Sequence, residues 1–141
     1  MASIKVVTGL KTYDIEDEHG NVRGQISFNP SDFGFYERAN NFYDHMEKMI
    51  ETIENDDTLV GVDKITEADR VMKKELNELF GDEHASDVVF GSQNCFNTLN
   101  GVSFVERFLN AFMPIIKKEF EKEKKNSQKR IEKYTQGVDE K

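Results

Sequence analysis

Tyr36, Ala39, Tyr43, Met46, Ile50 and Ile53 follow one another at alternating steps of three and four residues. Only an α-helix brings such positions onto one side, because each residue turns the chain by a little more than a quarter of a circle. Phe42 and Met49 widen this stripe. The same rhythm returns in Ile65, Ala68, Met72, Leu76 and Leu79, and again in Val105, Phe108, Leu109, Phe112, Ile116 and Phe120. Three helices with one apolar side each must bury those sides together. Eleven phenylalanines concentrate the apolar area at a few positions, and large rings dominate what such packing contributes.

Local signals mark where these helices begin and end. Asn29 or Ser31 suits the cap of the first helix, Pro30 its first turn, and Asp32 its positive end. Asn55-Asp56-Asp57 reads as a polar stop. The second helix starts behind Gly61, with Asp63 or Thr66 as cap candidates, and Gly81 is placed to end it in a left-handed conformation. "HASDVVF" provides two further helical turns that stop at Gly91. In "SQNCFNTLNG", rich in turn formers, Cys95, Phe96 and Leu99 are expected to tuck inward. The last helix is predicted from about Val102 towards Thr135. Pro114 interrupts it, but the apolar rhythm continues through that position, so a kink is expected and not a break.

The start of the chain follows a different period. In "KTYDIEDEHGNVRGQISFNP", Tyr13 and Ile15 alternate with Asp14 and Glu16. Beyond a turn at His19-Gly20-Asn21, Val22, Ile26 and Phe28 alternate with Arg23, Gln25 and Ser27. Period two around a Gly/Asn turn predicts an antiparallel hairpin with one apolar side. "SIKVV" is a candidate third strand. The fold class expected is α+β: a mainly α-helical domain with an N-terminal antiparallel β-hairpin and a long C-terminal helix. Residues 1–29 form the hairpin region, 30–121 the helical core of the same domain, and 122–141 a charged tail, helical or disordered.

Chemistry is harder to find. A formal net charge of -8 repels phosphate backbones, so nucleic acid is not an expected partner. No apolar run reaches the roughly 20 residues of a membrane span, and "MASIKVVTGLKTYDIEDE" lacks the apolar stretch of a signal peptide. With one cysteine, Cys95, no intramolecular disulfide forms, which suits a reducing cytoplasm. His19, His45 and His84 lie too far apart for the short spacings of metal sites, and no glycine-rich phosphate loop occurs. No cofactor is expected. Cys95 with His84 as base would be the one candidate for catalysis, set against Cys95 as a small buried hydrophobe, the commoner fate of a free cysteine. The stretch Lys117 to Lys133 is locally basic, with Glu121–Lys125 and Glu119–Lys122 at helix spacing. It reads as a solvated helix surface or as a docking arm for an acidic partner or for RNA, the RNA branch being the weaker because no aromatic residues interleave for base stacking.

From Asp32 onwards the order of segments resembles a family of small phage and prophage proteins of Gram-positive hosts, encoded among tail genes and taken for tail assembly chaperones. The resemblance rests on "DFGFYERANNFYDHMEKMIE", on "ELNELFGDEHASDVVFGSQN" and on "SFVERFLNAFMPIIKKEF". Its most telling part is the corner in which Leu79-Phe80-Gly81 is followed by Val89-Phe90-Gly91. The chain departs from that pattern in its longer hairpin and in Pro114. The resemblance implies a non-enzymatic protein of the host cytoplasm. Such a protein coats the tail tape-measure protein, keeps its apolar segments from aggregating, and recruits the tail tube protein. The row Phe104, Phe108, Phe112, Ile116 and Phe120 is the expected partner-binding face, in its outer portion. The alternative is a structural virion or host-interaction protein that forms a homo-oligomer through its long last helix.

Overall fold

A computed structural model describes residues 2–55 and 61–139, with side chains described for residues 2–55 and 63–133. The elements are strands β1 (Lys11–Glu16) and β2 (Val22–Phe28), helices α1 (Phe33–Glu54), α2 (Gly61–Phe80) and α3 (Ala85–Phe90), short strands β3 (Thr98–Leu99) and β4 (Val102–Ser103), and helix α4 (Phe104–Asp139). β1 pairs with β2 and β3 with β4, each pair antiparallel and separate from the other. The fold is α+β and mainly helical. Residues 3–7, the candidate third strand, pair with nothing and are irregular. The second half of the polar stop, Asp56-Asp57, lies outside the described residues.

The hairpin turn is built by Asp17. Its Oδ1 accepts from the backbone N–H groups of His19 at 2.9 Å and Asn21 at 3.0 Å, while Gly20 supplies a φ of 78°. Tyr13 faces Ile26, and Ile15 faces Gly24, as the alternation predicts. One residue further the register slips between Ile15 and Glu16, so Arg23 is the extra residue of a bulge. The slip corrects the expectation for Val22: it stands 56 % exposed, and the apolar side of β2 is Ile26 and Phe28. Gly24 has a reason of its own, since a Cβ there would lie 2.9 Å from a Val88 methyl. A bare backbone at that point lets α3 rest directly on the sheet.

The cap of α1 is Asp32, whose Oδ1 accepts from the Gly34 N–H at 2.9 Å. Asn29 organises the approach by accepting from Ser31, and Pro30 is buried in that approach instead of opening the helix. The buried side of α1 is Phe35, Ala39, Phe42 and Met46. Tyr36, Tyr43, Ile50 and Ile53, central to the predicted stripe, are half-buried flanks. The rotation arises because Phe28 stacks on Phe35 at 5.2 Å and pulls that ring to the centre. Helix α2 buries Ala68, Met72, Leu76 and Leu79. It starts at Gly61, so Asp63 sits in its first turn and Thr66 further inside, neither at the cap.

The Phe-Gly corner is structural punctuation. Gly81, at φ 61°, donates to Glu78 at 3.2 Å while Asp82 donates to Asn77 at 3.0 Å. These paired bonds satisfy the last carbonyls of α2 in a Schellman motif. Asn77 Oδ1 then accepts from the Ser86 N–H, fixing where α3 starts. Gly91 ends α3 at φ 60°, where a Cβ would collide with the Arg23 guanidinium. After it, Asn100 at φ 53° and Gly101 at φ 83° make the two-residue turn between β3 and β4. That hairpin carries Leu99 outward to 58 % exposure, against expectation, while Cys95 and Phe96 are buried. Helix α4 passes through Pro114, whose missing N–H and the bypassed Asn110 carbonyl both belong to exposed residues. Water can serve that carbonyl, so the proline is tolerated.

Two outcomes test these contacts. Phe28→Ala removes the ring on which Tyr13, Phe35, Phe80 and Phe112 converge. Urea denaturation is expected to show a loss of about 3–5 kcal/mol. The backbone bond from Asn21 holds the Asp17 carboxyl below its ordinary value. Its stabilisation of the turn is complete above the unfolded carboxyl's value and is lost as pH falls through the lower folded one. An NMR titration should therefore show the His19 and Asn21 amide resonances moving together only below about pH 4.

Candidate protein-binding surfaces

The row predicted on the last helix divides in two. Phe112 and Ile116 are 4 % and 0 % exposed, so they are core residues and a correction to the expected face. Phe112 is held by Phe28, Phe35, Phe80 and Phe108. Phe120 is half-buried on the α1 side, stacked on Tyr36 at 4.4 Å with Phe33 at its edge. Phe104 and Phe108 are half-buried on the opposite side, towards β1. They line a groove of about 760 Å³ between β1 and the first turns of α4. Its apolar floor continues through Ala111 and Ile115, and Asp14, Glu16, Asp17 and Glu18, with Arg23 among them, form a mainly acidic rim. Arg107 lies over the Phe104 ring at 4.8 Å, and its Nε is shielded from solvent with no acceptor.

A second concavity was not foreseen in the sequence. It lies between the end of α1 and the start of α2, about 610 Å³ in volume, and its floor is Met49, Ile53, Ile65, Ala68 and Val71. His45, Lys48, Lys64 and Glu67 stand around it. Its cause is the placement of α4. That helix runs antiparallel to α1, from Phe120 beside Tyr36 back towards Glu106 near Tyr43. The Tyr43 hydroxyl is pushed up, chiefly by its hydrogen bond to Glu47, and Glu106 adds to the effect. Because α4 begins at Phe104, level with Tyr43, the last turns of α1 extend past it and lose the third helical layer. Only the ends of the two stripes, Met49 and Ile53 with Ile65 and Ala68, hinted at this in the sequence. Periodicity shows which side is apolar and not where a third element stops covering it.

Cys95 and His84 do not come together. Cys95 is fully buried, its N–H donating to Asp69 Oδ1 at 2.7 Å, and desolvation with the Asp69 carboxylate pushes its thiol strongly up. Asp69 also pairs with Lys73 at 3.1 Å, and Lys73 donates to the Gln93 carbonyl at 2.8 Å. The three residues tie the loop after α3 to α2. His84 is exposed, with Asp87 at 4.0 Å. His45 bonds Glu75 at 2.8 Å, bridging α1 and α2. Among the described residues no group of three or more His, Cys, Asp or Glu is placed to hold a metal. No helix is long and apolar enough to cross a membrane among them either. In α4 beyond Phe120, the one large apolar side chain exposed among those described is Ile131. That leaves the described tail no continuous seam for pairing with a second helix.

Burial and the raised thiol together set an expectation for Cys95. Iodoacetamide at neutral pH should leave it unmodified in the native protein and label it fully in denaturant, as read by intact mass. Comparison of the chain with protein-family models, with curated proteins and with solved structures finds no match.

Proposed function

We propose that this chain is a non-enzymatic chaperone or adaptor of phage or prophage tail assembly. In this reading it holds a helical segment of the tape-measure protein in the bacterial cytoplasm until the tail tube protein replaces it. The observation that carries the reading is the cleft between α1 and α2, where two packed helices expose an apolar floor that α4 leaves uncovered. An amphipathic helix laid there would repeat, one level along, the packing that α4 makes with α1. Helices dock into such grooves by apolar residues at three- and four-residue spacing. Met49 suits a client with many segments to be gripped in turn, because an unbranched thioether adapts to different side chains. The rim carries both signs of charge, with Lys48 and Lys64 against Glu67, which favours register without fixing a single sequence. The resemblance at Leu79-Phe80-Gly81 and Val89-Phe90-Gly91 supports the choice of client.

The test is co-expression with the tape-measure protein of the same genome, followed by pull-down at low and moderate salt. The wild-type chain should retain the client. Ile53→Asp, which puts a charge on the cleft floor, should lower retention by about tenfold or more while the far-UV spectrum stays unchanged. Absence of association at both salt concentrations would remove the assignment.

A further inference from the structure

The irregular segment ahead of β1 holds Ile4, Val6, Val7 and Leu10 at 92 %, 72 %, 94 % and 62 % exposure. Exposed apolar side chains so close together mark an interaction surface. Ile4, Val6 and Val7 are β-branched, and residues 3–7 make no backbone pairing, like a strand without a sheet. The same molecule has a sheet without a strand. β1 pairs only with β2, so its outer edge presents unpaired N–H and C=O groups. The groove beside α4 runs along that edge: the successive β1 residues Tyr13, Asp14, Ile15 and Glu16, which point alternately to the two sides of the strand, line it together with Asp17 and Glu18 of the turn.

We infer that this groove receives residues 3–8 of a second copy of the chain, which add a third strand beside β1. Length, side-chain pattern and charge agree. Six residues of strand span about 20 Å, the length of the six-residue β1 whose edge they would follow. Ile4 and Val6 point to one side of such a strand, onto Phe104, Phe108 and Ile115. Lys5 points to the other, the side of Asp14 and Glu16, where opposite charges on neighbouring strands attract. A carbonyl of the incoming strand also gives the Arg107 guanidinium the acceptor its Nε lacks.

The chain's own arm does not reach this place. Asn29 Nδ2 donates to the Thr8 carbonyl at 3.1 Å, and Gly9, at φ 80°, is pressed against the Asn29 side chain. Asn29 directly follows β2, so the arm leaves on the β2 side of β1, away from the open edge. Residues 3–8 are therefore delivered outward to another molecule. The exchange uses a groove separate from the α1–α2 cleft, and stands or falls independently of the client proposed above.

The experiment is the solution mass of the full chain at micromolar concentration, measured by light scattering after gel filtration. A dimer or larger closed assembly is expected. Ile4→Asp with Val6→Asp, at positions exposed in their own copy, should yield a monomer with an unchanged circular dichroism spectrum. Ile115→Asp in the groove should do the same. Mixing the two variants should restore a heterodimer, since one retains the groove and the other the arm. A monomeric wild-type chain overturns the inference. So does a monomer whose arm resists protease, with its own groove filled, or an assembly that survives the arm substitutions.

Discussion

One ring holds the layers of this molecule together. Phe28 closes β2, and around it gather Tyr13 of β1 at 4.8 Å, Phe35 of α1 at 5.2 Å, Phe80 of α2 at 5.6 Å and Phe112 of α4 at 5.2 Å. Two contacts are stacked and two are tilted or edge-on, the arrangements that the charge distribution of a ring favours. A two-stranded hairpin is marginal in water, and three helices can pack in several rotations. Fixing one aromatic to a partner from each element restricts both freedoms at once. The rotation of α1 about its axis, the placement of the hairpin and the depth of Phe112 follow from that requirement.

Close backbone approach is the second constraint. Gly24 leaves room for the Val88 side chain, and Gly91 for that of Arg23, so at each point one side chain and not two separates α3 from the hairpin. The Schellman end of α2 and the Asn77–Ser86 bond set the angle at which α3 departs. From there Asp69 and Lys73 hold the following loop, burying Cys95 as part of the wall. The corner therefore acts as a rigid bracket that delivers β3, β4 and the start of α4. Where α4 starts in turn decides how much of α1 and α2 remains open, and the open part is the cleft between their facing ends.

The sequence disclosed the elements more readily than their faces. Three apolar stripes and one alternating stretch were enough for α+β with an N-terminal hairpin, and Gly81 and Gly91 announced their helix ends. Phe35 and Phe42 were undervalued because periodicity alone cannot distinguish two adjacent stripes on one helix. The choice was made by Phe28, a tertiary partner. Val22 was misplaced by a bulge, and Leu99 by the Asn100-Gly101 turn, a two-residue signal hidden among other turn formers. Of the predicted partner face, Phe104 and Phe108 line a groove, whereas Phe112 and Ile116 are consumed by the core. Grooves depend on which layer is absent, which a single helix's pattern does not encode.

Helix α4 runs for 36 residues, about 54 Å of rod at 1.5 Å per residue, yet the packed part ends near Phe120. Beyond that point the helix's own backbone hydrogen bonds sustain the coil without a neighbour, and short unsupported helices are marginal. Heating should shorten this rod from its free end well before the rings around Phe28 separate. Ellipticity at 222 nm would then slope downward across temperatures at which the near-ultraviolet signal of the tyrosines stays flat. The two spectral regions would report different events in one chain.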